Sequence, residues 1–366
     1  MRALPIGRMA LVFGVLLAAA LTVSAAPAPP LAAAAIDKYL LDDTDFLIVV
    51  EVKPLLASPL VAKQHRKQIE ELLKSEPVQV WLKDAGFDPL RDVERIVLLM
   101  SRSCHGTDKD PQGAGPVVLV QGRFDAAKVQ AKMEQLAKDS PHGVKVDAQG
   151  EIYRLTIPNA PFPVFFAQLD RNTLMLAAKK KELVAEARDK AAGKKKTALK
   201  SEAVRDFLKQ RKPDQPLQIM ADGSAIWESS FSSTVQMGVQ ITKVTHTTLE
   251  DLGILRLRGG LSVGEKIKGS LTLKVKDADT AKQTAELFRM GVNKVGKSFE
   301  AKVKSLAQNR GENLERANKR DLAPLRKAVD DTIVEADASS VTLTTEIDRE
   351  ALATFLRVFF GIGMGG

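Results

Sequence analysis

The sequence predicts an α+β fold of two tandem, duplicated units, each a mainly antiparallel sheet with helices packed on one face. Three observations predict it. Short apolar runs rich in β-branched residues alternate with amphipathic stretches of helical length. Several of those runs lie close together, as the arms of hairpins do. The order of elements also repeats over two spans of nearly equal length, 46–190 and 217–359.

In the first span, strands are expected at 46–52, 95–100, 117–124, 151–157, 163–169 and 173–178. Ser58-Pro59 opens a helix over 60–73, as a cap followed by proline at the first helical position. Asp125 caps a helix over 126–137, with Val129, Met133 and Leu136 on one face, and a helix over 180–191 closes the span. The second span has a strand at 217–221, a helix or loop at 226–231, and a hairpin from 252–263 and 268–275. Asp277 or Asp279 then caps a long helix. Its apolar stripe is Ala281, Ala285, Phe288, Val292, Val295, Phe299, Val303 and Leu306, and lysines 294, 297, 302 and 304 lie opposite. A hairpin from 333–335 and 341–347 follows, and Asp348 caps a last helix to Phe359. Three junctions share one pattern, in which an alternating strand ends at an Asp that accepts the first free helix N–H groups: Asp125, Asp277 or Asp279, and Asp348.

The N-terminus predicts export. Arg2 and Arg8 precede an uncharged, mostly apolar run over 9–23, and Ser24-Ala25-Ala26 offers small residues for cleavage after Ala26. The alternative is an uncleaved anchor, but the apolar run falls short of the roughly 20 residues that span a bilayer. The expected organisation is a signal peptide at 1–26, a lead-in at 27–37, a first α+β unit at 38–192, a basic linker at 193–200 and a second unit at 201–366. No transmembrane span is expected in the mature chain, which is read as periplasmic or extracellular.

The chain of 366 residues carries a formal charge of +9, which falls to +7 when Arg2 and Arg8 leave. The charge is concentrated. Residues 179–212 hold 13 basic and 5 acidic side chains, and 292–327 hold 10 basic and 4 acidic. Such stretches suit an anionic polymer or lipid surface, and the candidate contacts are Lys194, Lys195, Lys196, Lys302 and Lys304. Two Trp and two Tyr leave few stacking platforms, and no recognition motif appears, which argues against nucleic acid.

Catalytic signatures are lacking. One cysteine excludes an intramolecular disulfide, and Cys104 beside His105 does not form a dyad, because adjacent residues on an extended chain point apart. His65, His142 and His246 have no neighbours at metal-ligand spacing, and Asp42-Asp43 and Asp330-Asp331 read as turn and cap residues. Gly193-Lys-Lys-Lys-Thr197 has Arg188 where a phosphate-binding loop needs its first glycine, and the glycine-rich tail at 361–366 has no helix after it. No catalytic residue, cofactor or metal ligand is assigned.

Residues 39–60 (YLLDDTDFLIVVEVKPLLASPL), Gly86-Phe-Asp-Pro-Leu-Arg-Asp-Val-Glu-Arg-Ile and Gln121-Gly-Arg-Phe-Asp together resemble a group of uncharacterised secreted proteins common in planctomycete-type bacteria. The likeness covers mainly residues 36–125 and extends more loosely to residue 200. It implies export and an α+β fold, and it implies no activity and no site residues.

The functional expectation is an exported, non-enzymatic binding or structural module of the cell envelope. One alternative is a module that binds an anionic polymer or lipid surface through 179–212 and 292–327. Another is a hydrolase or transferase whose site the sequence does not reveal. The partner class is open among an anionic envelope polymer, a lipid surface and an envelope protein.

Overall fold

The computed structural model describes residues 36–58, 89–101, 115–139, 145–158, 160, 162–212, 214–236 and 239–360. The signal peptide, the lead-in to residue 35, the helix at 60–73, Cys104-His105, His65, His142 and the tail at 361–366 lie outside the described residues. The chain is α+β and divides into two compact units between Ile226 and Trp227.

The first unit is built on an antiparallel sheet of β1 (Thr44–Glu51), β2 (Val93–Ser101), β3 (Val117–Gly122), β4 (Lys145–Gln149), β5 (Ile152–Thr156), β6 (Val164–Asp170), β7 (Thr173–Ala178) and β8 (Leu217–Asp222). Its order is β8-β1-β2-β3-β7-β6-β5-β4. Short helices α1 (Val52–Ala57) and α2 (Pro89–Asp92) follow β1 and precede β2, and α3 (Ala126–Asp139), α4 (Lys181–Ala191) and α5 (Glu202–Lys209) complete it.

The central strands are apolar on both faces because both faces are covered. Leu47, Val49, Val97, Leu99, Leu119 and Met175 point to one core with Val184 and Ala187 of α4 and Val204 and Phe207 of α5. Val50, Ile96, Val118, Val120 and Leu174 point to a second core with Met133 and Leu136 of α3. Alternation along a strand sends neighbours to opposite sides. Each fully buried Leu or Val contributes about 1.5–3 kcal/mol of transfer free energy, so two cores anchor this sheet.

The second unit has a hairpin of β9 (Ile226–Gln236) and β10 (Val239–Thr248), and a four-stranded sheet ordered β11-β12-β14-β13. Its strands are β11 (Ile254–Val263), β12 (Ile267–Val275), β13 (Ile333–Asp337) and β14 (Ser340–Ile347). Its helices are α6 (Ala278–Asn309), α7 (Leu314–Ala317), α8 (Ala323–Asp330) and α9 (Arg349–Phe360), with a π-helical turn at Asn318–Leu322 between α7 and α8. Residues 226–231 are therefore strand, against the expected helix or loop. The stretch that follows is crowded with β-branched Thr, Val and Ile, which favour a pleated surface.

One face of the β11–β14 sheet is apolar: Leu257 pairs with Leu273, Leu271 with Leu343, and Leu273 with Val341. The helices lie on this side, where Thr345 Oγ1 donates to the Ala328 carbonyl of α8 at 3.4 Å. The other face carries Lys268, Ser270, Thr272 and Lys274 of β12 opposite Glu346, Thr344, Thr342 and Ser340 of β14. Edge strand β13 exposes most of its residues, and Arg289 of α6 donates to its Val334 carbonyl at 2.9 Å. A capped carbonyl blunts an edge that would otherwise template pairing.

A similar path runs through both units. An antiparallel pair (β2-β3, β11-β12) leads to a helix (α3, α6) and later to a hairpin whose second strand returns beside the first pair, giving β2-β3-β7-β6 and β11-β12-β14-β13, though the first unit has the extra hairpin β4-β5 between α3 and β6. Asp125 and Asp277 hold equivalent places. Asp125 Oδ1 accepts from the N–H groups of Ala127 and Lys128, and Asp277 Oδ1 from that of Thr280. Asp348, which accepts from the Ala351 N–H, stands at the other junction, where the first unit has Lys179 at φ 68° and an N-cap lysine without side-chain capping. The three Asp junctions thus occupy two topological positions.

Candidate functional site

The lysine-rich stretch expected as a linker is bound to the first unit throughout. Helix α4 ends at Ala191, and Gly193 follows with φ +73°. The Lys194 N–H reaches back to the Asp189 carbonyl at 2.8 Å and the Gly193 N–H to the Lys190 carbonyl at 3.0 Å. This nested pair is a Schellman cap, in which glycine takes the left-handed position that a side chain resists. Gly193 therefore terminates a helix and does not open a flexible joint.

Beneath the cap, the Lys190 side chain is 0% exposed. Its ammonium donates to the Leu40 carbonyl at 2.8 Å and to Asp42 Oδ1 at 2.7 Å, and sits 2.8 Å from Glu186 Oε1. Three acceptors match the three donors of an ammonium group. Asp42 also accepts from the Ala198 N–H at 3.0 Å, its carbonyl accepts from the Lys200 N–H at 2.8 Å, and Thr197 Oγ1 donates to the Lys38 carbonyl at 3.3 Å. Residues 193–200 form a strap laid over 38–42.

The strap's titration follows from these contacts. Burial pushes the Asp42 carboxyl up, but the Lys190 ammonium and the Ala198 amide outweigh it and hold the group below its ordinary value. Glu186 behaves alike, with Lys190 and Lys195 overcoming its desolvation. The Lys195 ammonium is raised by its hydrogen bond to Glu186, 2.9 Å away.

The five candidate lysines therefore separate. Lys195 is engaged by Glu186. Lys194 and Lys196 are exposed, with no ion-pair partner among the described residues. Lys302 and Lys304 are likewise exposed and unpaired among the described residues, on α6 of the second unit.

The sequence did not reveal a polar row at the border of the α4–α5 core. Glu51, Arg95, Gln121 and Thr173 stand opposite one another across β1, β2, β3 and β7. Arg95 donates to Glu51 at 2.8 Å and to Gln121 at 3.0 Å. Arg211 donates to the same Glu51, and buried Gln218 holds the chain at Lys212 and Gln215. Burial, then the nearby Arg95 guanidinium, pull the Arg211 guanidinium below its usual value against the attraction of Glu51. The signal was present in Arg95, a cation at the head of the apolar run 96–100 and within the strand it begins.

Farther along that border, the buried Tyr39 hydroxyl donates to Asp170 Oδ2, which also receives Lys38 at 3.2 Å, while Oδ1 accepts from the Asn172 N–H at 2.9 Å. Burial and Asp170 raise the Tyr39 phenol, so it remains a donor at neutral pH. Among the described residues no group of three or more His, Cys, Asp or Glu could hold a metal ion. No family model, curated protein or solved structure matches the chain.

Proposed function

We propose that the protein is an exported, non-catalytic module that binds an anionic surface of the cell envelope. The observation that carries this reading is the fixed presentation of Lys194 and Lys196. Both are exposed and unpaired among the described residues, and the backbone beneath them is held by the α4 cap and by Asp42. Cations on an ordered backbone bind without the entropic cost of ordering a loose chain. Export rests on the Arg2 to Ala26 pattern and on the resemblance to secreted proteins.

The test is binding of the mature chain to anionic vesicles, acidic polysaccharide and DNA, each at low and high salt. Binding that weakens with salt and is lost in Lys194→Glu/Lys196→Glu supports the reading. Lys195→Gln should weaken binding less than Lys194→Gln, because Glu186 already occupies Lys195. Absence of binding to all three at low salt would overturn the proposal.

A further inference from the structure

Helix α6 spans 32 residues, about 48 Å at 1.5 Å per residue. Ala281, Ala285, Gly296, Val303 and Ala307 are its buried side. The outer side is not simply polar. Leu287, Met290 and Val295 are 63%, 59% and 46% exposed.

At about 100° per residue, Leu287, Met290 and Lys294 fall within one outward arc. Lys297 and Lys304 run along one border of that arc, and Lys302 and Val295 along the other. These four lysines are exposed and have no ion-pair partner among the described residues. The acid that shares their stretch, Glu300, is held by Arg326 of α8. Between Leu287 and Lys304 the outward surface is therefore apolar and cationic together.

We infer that this face of α6 seats on an anionic lipid bilayer. Leu287, Met290 and Val295 enter the boundary between headgroups and acyl chains, while lysines 294, 297, 302 and 304 meet lipid phosphates. Exposed apolar residues flanked by lysines are the pattern of helices that lie in a membrane interface. Charge complementarity favours lipid over a second copy of this chain, because two such faces would bring lysine against lysine. No described helix is long and apolar enough to cross a membrane, so the contact is interfacial. This inference rests on the anionic-surface reading and narrows the surface to lipid.

The experiment uses the whole mature chain with phosphatidylcholine vesicles, with and without phosphatidylglycerol, and with acidic polysaccharide. The variants are Leu287→Ser/Met290→Ser/Val295→Ser and Lys194→Glu/Lys196→Glu. Circular dichroism and the urea midpoint verify that each remains folded. The expected result is at least tenfold weaker partitioning of the triple serine variant onto anionic vesicles, with polysaccharide binding unchanged. Wild type should also retain part of its vesicle binding at high salt. Wild-type-like partitioning of the triple serine variant would overturn the inference. So would loss of a concentration-dependent dimer with vesicle binding intact, since a second copy would then be the occupant. If the strap variant binds as wild type while the α6 variant does not, the strap reading fails and the α6 docking face stands.

Discussion

The ammonium of Lys190 and the carboxylate of Asp42 meet at 2.7 Å across 148 residues of chain. The pair joins the last turn of α4 to the residues that lead into β1, and the lysine is fully enclosed. A buried cation flanked by two carboxylates is a demanding arrangement, because removing one partner strands the others.

Lys190→Met should therefore cost about 3 kcal/mol, the size expected for breaking a buried ion pair. Urea unfolding followed by circular dichroism measures it. The same variant should open the strap to protease between residues 193 and 200. A change within 0.5 kcal/mol, the scale of an ordinary surface substitution, would show that the cluster carries no net stability.

Acid should unfold the protein in part through this cluster and through Asp170, the partner of Tyr39 and Lys38. Asp42, Glu186 and Asp170 all sit below their ordinary values in the folded chain. As pH falls, the unfolded chain binds protons first, so the equilibrium moves toward it. Their stabilisation is complete above about pH 5. It is lost as pH drops through the ordinary carboxylate values of roughly 4 toward the lowered folded ones. Asp42→Asn should flatten this limb of the stability curve, and an unchanged limb would exclude Asp42 as a contributor.

Base should act through Tyr39. Its phenol is raised in the folded state, so the folded chain keeps a proton that the unfolded chain releases. The corresponding stability is present below about pH 10, the ordinary tyrosine value, and is lost as pH rises above it. Tyr39 and Tyr153 are the two tyrosines of the sequence. In Tyr153→Phe, tyrosinate absorbance reports Tyr39 alone and should appear above the free-tyrosine midpoint. A midpoint at or below that of free tyrosine would contradict the buried contact with Asp170.

Gly296 offers a paired test of packing. A Cβ there would meet Val329 Cγ1 at 3.4 Å and Arg326 Nη1 at 3.9 Å, which is ordinary contact. Gly296→Ala should be neutral to about 1 kcal/mol stabilising, since alanine favours the helix. Gly296→Leu has no room against α8 and should cost about 1–3 kcal/mol. Thermal and urea denaturation of the two variants should move in opposite directions or differ clearly in size.

Much of the fold was legible because burial writes itself as local pattern. Strand β7 matches its expected bounds, and β1, β2 and β3 differ from theirs by at most two residues at either end, since apolar runs read as strand whichever face they serve. Edge strand β4 was not legible: among Lys145–Gln149 only Val146 is buried, so a polar segment conceals it. The eight-residue α5 has its Ser201 cap and Ala203, Val204 and Phe207 facing the core, a signal too short to stand out. On α6 the stripe slipped at Val295, which is exposed, while Gly296 takes the inward place and lets α8 approach.

The site was less legible. Lys190 is one of 13 basic residues within 179–212, and nothing local distinguishes it from its solvated neighbours. Its partner Asp42 reads as a turn acid, and only the tertiary fold unites them. Gly193 could have been recognised, because a glycine after a helix with cations in its last turn is a cap signature.

The polar row across β1, β2, β3 and β7 bears on how these strands find their alignment. Strands that are apolar on both faces carry little register information, since a slide by two residues replaces one aliphatic contact with another. Here such a slide would set Glu51 against Val97 or Val93 in place of Arg95. It would part the buried Arg95 guanidinium from the Glu51 carboxylate, which would keep only Arg211, at a cost of up to several kcal/mol. Glu51, Arg95 and Gln121 thus act as an index mark for the sheet, selecting one alignment among several that the aliphatic residues alone would accept.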